Sequence, residues 1–151
     1  MSKSLGNLVM VRDLLKDWSP DALRLYLGRH HYRRGWSHDT GTLAQGAQLA
    51  EKLRAAATVS GGNDEPLDVA GAEADFTAAM DDDLNTPLAL GRLESLADDL
   101  LAAARAGRRV ETGQALVRRL AQVFGLRLDR PGVEERVTRG WDAHLLRFPS
   151  L

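Results

Sequence analysis

The stretch Ser19-Pro20-Asp21-Ala22-Leu23-Arg24-Leu25-Tyr26-Leu27-Gly28-Arg29-His30 declares a helix in its opening residues. Serine is a good N-cap, proline's fixed φ suits the first helical position, and an acid in the first turn meets the positive end of the helix dipole. Ala22, Leu23, Tyr26, Leu27 and His30 then recur at three- and four-residue spacing, which predicts one buried stripe. Arg24 lies beside that stripe, within reach of an acidic partner or of the core edge. Arg29, Arg33 and Arg34 cluster towards the predicted helix end, where cations complement the dipole and are also well placed for phosphates.

Working outward, the same signals repeat. Upstream, the apolar run Leu8–Val11 leads into a brief helix from Arg12 to Trp18. Downstream, Ser37 is a cap for a helix running to about Ala57, with Leu43, Ala47, Ala50, Leu53 and Ala57 as its stripe. Gly41 and Gly46 weaken it and mark a frayed start or tight packing. Ser60-Gly61-Gly62-Asn63-Asp64-Glu65-Pro66 reads as a mobile inter-helix loop. Ala72 to Met80 is a short helix. Thr86-Pro87 caps a long one to about Ala106, with Leu90, Leu93, Leu96, Leu100 and Leu101 facing the core. Another helix runs from Glu111 or Thr112 to Phe124, carrying Ala115, Leu116, Leu120, Val123 and Phe124, and Gly125 ends it. Beyond the break at Arg130-Pro131-Gly132, Val133, Val137, Trp141, Leu145 and Phe148 recur at helical spacing. That last helix either folds back on the bundle or offers Trp141 and Phe148 to a protein partner. The reading is all-α, an antiparallel helical bundle. It has a first segment at 1–36, the bundle at 37–128 and a tail at 129–151.

Bulk properties narrow the class. The 151 residues suffice for one domain with a core, no apolar run reaches a membrane span, and no signal-peptide pattern begins the chain. Zero cysteines exclude disulfides and thiolate metal sites and fit a cytoplasmic setting. The net charge of −1 conceals a pattern: residues 1–36 carry +4, 64–99 carry −10, and 100–151 carry +5. Basic ends around an acidic middle either give one cationic face suited to RNA or reflect solvated helix faces that differ in charge. His30 and His31 diverge on a helix and no ligand spacing joins them to His38, so no metal site is expected. Asp81-Asp82-Asp83 reads as solvated acids in an inter-helix turn rather than a magnesium site.

The first residues, Met1-Ser2-Lys3-Ser4-Leu5-Gly6-Asn7, place a lysine between two hydroxyls before a tight turn. A lysine near a terminus is more often simply solvated, but the arrangement suits a phosphate-binding loop. The stretch resembles the K-M-S-K-S-L-G-N loop of cysteinyl-tRNA synthetases, from its second letter onward. Asp21-Ala22-Leu23-Arg24 is similar to that family's D-A-L-R element and His31-Tyr32-Arg33 to its H-Y-R. Met80-Asp81-Asp82-Asp83-Leu84-Asn85-Thr86-Pro87 is similar to its M-D-D-D-F-N-T-P. Four motifs in order over residues 1 to about 126 identify a C-terminal part of this class I family.

The resemblance implies a stem-contact-like segment followed by the helical, anticodon-binding-like domain of the D-A-L-R type. It implies that Lys3 is the catalytic lysine, with Ser2 and Ser4 shaping an ATP-binding loop. Arg12, Lys16, Arg29, His31, Tyr32, Arg33 and Arg34 become candidate tRNA contacts, with His31 and Tyr32 orienting and packing rather than reacting. ATP with Mg²⁺ and tRNA(Cys) are implied for an intact enzyme. This chain alone is expected to bind no cofactor, to need a catalytic domain in cis or trans, and not to activate cysteine. The family's zinc site has no ligands here, and its anticodon region is missing or reduced. Two other readings remain at this level: the related cysteine ligase of mycothiol synthesis, and a helical adaptor binding a protein through its tail.

Overall fold

The computed structural model describes residues 9–128, and these form six helices and no strand. They are α1 (Val11–Leu14), α2 (Pro20–Gly28), α3 (Thr40–Thr58), α4 (Ala70–Asp81), α5 (Thr86–Arg105) and α6 (Glu111–Val123). Residue contacts show α2 and α3 running antiparallel: Asp21 meets Arg54 at one end and Tyr26 meets His38 at the other. The α5–α6 pair is antiparallel too, with Gly113 against Leu100 and both Leu90 and Phe124 against Gly28. Ser2, Lys3, Ser4, Trp141 and Phe148, to which the sequence assigns roles, lie outside the described residues.

Local chemistry starts the helices. The Ser19 hydroxyl accepts from the Ala22 amide at 3.1 Å, and Pro20 takes the first helical position. The cap of α3 is Asp39 rather than Ser37; its carboxylate accepts from the amides of Gly41 and Thr42 at 3.3 and 2.7 Å. A carboxylate can take both orphan amides at once, which a single hydroxyl does less well. At α5 the cap is Asn85, one residue before the expected threonine, accepting from the Leu88 amide at 3.3 Å.

The main core joins Leu25 of α2 to the inner faces of α3, α4, α5 and α6, with Leu49, Leu53, Leu93, Leu100 and Val117 almost inaccessible to water. A smaller cluster holds Leu23, Tyr26 and Leu43, with Leu14 and Trp18 beside it. Helix α2 therefore has two buried faces, and the single-stripe reading fails at Leu27, which is 54% exposed while Leu25 is sealed. Helix α2 also stops at Gly28, so Arg33 and Arg34 lie past its end and do not serve its dipole. On α6 the buried set is Gly113, Leu116, Val117, Leu120 and Ala121. Ala115 and Val123, expected inside, are exposed, because Gly113 lets this face close onto Leu100. The α5 leucines fall as expected, with Leu101 at the core edge.

Two tight approaches fix the assembly. Gly46 sits against α2 so closely that a Cβ would lie 2.8 Å from the Ala22 carbonyl oxygen. The glycine-rich segment after α3 is not a loose loop. The Gly62, Asp64 and Leu67 amides donate to the Arg108, Gly107 and Arg109 carbonyls at 2.9–3.1 Å, forming an isolated parallel bridge at Asp64 and Arg108. Arg108 and Arg109 return bonds to the carbonyls of Glu65, Pro66 and Asp64. A side chain at Gly62 would strike the Gly107 backbone. The segment thus crosses the α5–α6 turn as a second layer of backbone pairing.

Asp21 is the buried carboxylate of the described residues. It faces Arg24 and Arg54 at 3.6 Å each and accepts from the Arg127 backbone amide at 3.2–3.3 Å. It thereby ties α2 to α3 and to the chain leaving α6.

Removing one member of a buried charge group strands the rest, so Asp21→Ala should cost on the order of 3 kcal/mol in urea unfolding. Two identical substitutions should differ in sign. Gly91→Ala, on an exposed α5 face with open space, should raise stability by about 0.5–1 kcal/mol through helix propensity. Gly46→Ala should lower it by about 1 kcal/mol or more, because the α2 backbone must move. Equal midpoints for the two glycine variants would refute the close α2–α3 contact.

Candidate nucleic-acid interface

Past α2 the chain folds back over Tyr26. The Tyr26 hydroxyl bonds His38 Nδ1 at 2.9 Å and accepts from the Asp39 amide at 3.2 Å. His30 Nδ1 pairs with the Tyr26 carbonyl at 2.9 Å, and the His30 ring stacks on Trp36 with centroids 4.0 Å apart. Tyr26 meets His30, Trp36 and His38 edge-on. Both histidines are thus occupied in packing, and among the described residues no group of His, Cys, Asp or Glu could hold a metal. This aromatic knot shapes residues 29–39 and presents His31, Tyr32 and Arg33 outward.

Those three residues act as one unit. The His31 and Tyr32 rings stack at 5.2 Å, and the Arg33 guanidinium lies 5.0 Å from the Tyr32 ring centre. Arg33 and Tyr32 then converge on a single carboxylate fifty residues away. Arg33 Nε donates to Asp83 Oδ2 at 2.5 Å, Arg33 Nη2 to Oδ1 at 3.1 Å, and the Tyr32 hydroxyl to Oδ1 at 2.6 Å. Asp83 is therefore not simply a solvated acid of the turn, as its sequence suggests. Its backbone and that of Leu84 take φ values of 52° and 51°, a left-handed conformation that is costly for residues with side chains. The turn holds that shape through Leu84 and Asn85 amides bonded to the carbonyls of Met80 and Ala79. The Arg33 guanidinium, and to a lesser degree the Tyr32 hydroxyl, hold the Asp83 carboxyl below the usual carboxylate range. The same bond raises the Tyr32 phenol.

The other candidates are scattered around this unit. Arg12 and Arg34 are exposed and have no ion-pair partner among the described residues, whereas exposed Lys16 pairs with Asp13 at 2.7 Å. Arg29 turns inward, reaching Gln45 at 3.4 Å and Glu94 at 3.9 Å. Glu94 is also claimed by Lys52, which bonds Asp98 as well. The structure thus gathers His31, Tyr32 and Arg33, leaves Arg12, Lys16 and Arg34 in solvent, and partly buries Arg29. Sequence reasoning missed Asp83 as the anchor of the set. Its only local signal is a position between two helices, just before the Asn85 cap.

Comparison with known proteins agrees with these motifs. Residues 1–48 match the family model described as tRNA synthetases class I (C) catalytic domain, and residues 75–129 match the DALR domain. The Tyr32–Arg33–Asp83 clasp therefore joins one matched segment to the other. The chain is 39% identical to the cysteine–tRNA ligase of Alkalilimnicola ehrlichii over 95% of its own length and 31% of the relative's. It is 36% identical to that of Klebsiella pneumoniae, over 87% of this chain and 29% of the relative. With that of Dehalococcoides mccartyi it shares 35% identity over 85% of this chain and 29% of the relative. The chain thus spans about three tenths of the length of these relatives, and they do not favour the mycothiol-pathway branch. No helix among the described residues is long and apolar enough to cross a membrane.

Because Asp83's folded pKa lies below its unfolded one, the clasp contributes above the ordinary carboxylate pKa and is lost as pH falls through the lowered value. A carboxyl-carbon NMR titration should show the Asp83 midpoint rising towards the ordinary range in Arg33→Ala. A midpoint that does not move would mean that the clasp is not formed in solution.

Proposed function

We propose that this chain, a member of the cysteine–tRNA ligase family, is the part of such an enzyme that carries the signature-loop lysine and docks tRNA(Cys). The observation carrying this reading is its 39% identity to a cysteine–tRNA ligase across 95% of the chain. In the intact enzyme, cysteine's carboxylate attacks the α-phosphate of ATP and pyrophosphate leaves; a hydroxyl of the terminal adenosine of tRNA then takes the cysteinyl group and AMP is released. Negative charge grows on the phosphates during the first step. Lys3, flanked by Ser2 and Ser4, supplies a fixed cation there, and such charge stabilisation acts on the barrier more than on amino-acid binding. Mg²⁺ would accompany the nucleotide; the described residues offer it no carboxylate cluster of their own.

The docking role falls to the outward unit of His31, Tyr32 and Arg33, with Arg12, Lys16 and Arg34 as solvent-facing cations and Arg29 at the edge. Tyr32 and His31 offer ring faces on which an unpaired base can stack, and the arginines offer forks to phosphates. The clasp to Asp83 keeps that unit in a fixed orientation to the helical bundle.

The 151-residue chain should bind tRNA(Cys) with an affinity that falls steeply with salt, measured by filter binding between about 50 and 200 mM salt. Absence of binding at the low end would overturn the docking role. Expressed alone, the chain should give no detectable cysteine-dependent ATP–pyrophosphate exchange. In a full-length relative-sized enzyme, Lys3→Ala should lower kcat for that exchange by about 100-fold or more while KM for cysteine moves little.

A further inference from the structure

Where the first turn of α2 meets the end of α6 there is an open pocket of about 740 Å³. Arg24, Arg118 and Arg127 line it together with Gln122, and among the described residues no carboxylate lines it. These arginines come from three separate segments. The Asp21 carboxylate lies beneath, with its side chain only 8% exposed, and is already shared by Arg24, Arg54 and the Arg127 amide. Arg24 remains 45% exposed and rests against Gly125, whose φ of 70° turns the chain around it. Arg118 gives one N–H to the Ala57 carbonyl, and the Arg127 side chain has no ion-pair partner among the described residues. Lys52, Arg33 and Arg119, by comparison, each face a carboxylate at 2.5–3.0 Å, which Arg118 and Arg127 do not among the described residues.

Three guanidiniums gathered in a concavity, of which only Arg24 faces a carboxylate among the described residues, create a local positive potential that an anion relieves. Their planar forks match phosphate oxygens two at a time, and Gln122 can add an amide donor. We propose that this pocket is a phosphate subsite for an RNA backbone, held by Arg24, Arg118 and Arg127 and separate from the His31–Tyr32–Arg33 unit. It rests on the reading of the chain as an RNA-docking part. A phosphodiester bound there would bridge α2, within the segment matching the catalytic domain, and α6, within the segment matching the DALR domain.

The test is the salt dependence of tRNA binding by the full 151-residue chain. Arg127→Ala, which breaks no contact seen among the described residues, should reduce the slope of log K against log salt by about 1 and weaken binding several-fold. Arg118→Lys keeps the charge but loses the fork, and should weaken binding with little change in slope. Arg105→Ala, in the last turn of α5, removes the same charge elsewhere and should leave both unchanged. Circular dichroism melts confirm that each variant is folded. Full wild-type slope and affinity in folded Arg127→Ala would overturn the subsite while leaving the docking role standing. No binding by the wild type would overturn both. Titration with inorganic phosphate, followed at the Arg127 amide by NMR, separates the ligand sources. Saturation below about 1 mM with an unchanged tRNA slope would assign the pocket to free phosphate and overturn the RNA proposal.

Discussion

Taking a carboxylate out of water is unfavourable by several kcal/mol unless its charge is met from several sides. Asp21 imposes that requirement on the whole described structure. It sits in the first turn of α2, so the amide end of that helix contributes part of the compensation. The rest must come from elsewhere: Arg24 on its own helix, Arg54 from α3, and the Arg127 amide from the chain leaving α6. Each donor is in place only if its element is in place. Apolar burial in the main core supplies most of the driving force, but it is non-directional. The carboxylate adds direction: it specifies which end of α3 lies beside the start of α2 and where residue 127 must arrive.

A second constraint works at the other end of α2. There the chain leaves its helix early, at Gly28, and is gathered by the Tyr26, His30, Trp36 and His38 contacts into a compact return. On the far side, the turn after α4 places two consecutive residues in left-handed backbone to bring Asp83 outward. Strain in one turn and aromatic packing in another thus meet at a single exposed carboxylate. An exposed ion pair contributes little to stability. The clasp is better understood as setting the orientation of Tyr32 and Arg33 than as holding the fold together.

How much of this the sequence reveals depends on the range of the interaction. Helix starts are legible to within a residue or two because capping is chemistry among neighbours: Ser19 declares itself as a cap, whereas the caps of α3 and α5 are Asp39 and Asn85 rather than Ser37 and Thr86. The α5 leucine stripe is legible because one face of that helix meets one core. Legibility fails where an element serves two cores, as with Leu25 and Leu27 on α2, or where a glycine rotates the packed face, as at Gly113 on α6. It also fails for Asp83, whose partners lie fifty residues upstream and leave no mark on its neighbours. Motif order indicates the family, but it does not say that two of its motifs touch.

The pairing of residues 62–67 with the α5–α6 turn bears on how such a chain can be dissected. The Ser-Gly-Gly-Asn-Asp run has the composition of a hinge, and a boundary drawn by composition would cut there. Yet its amides are spent on the carbonyls of Gly107, Arg108 and Arg109, and its glycines lie flat against that backbone. Dividing the molecule at this point would expose the underside of one half and the paired edge of the other. The apparent seam is a surface segment tied by backbone pairing to the α5–α6 turn, and its two sides form one structural unit.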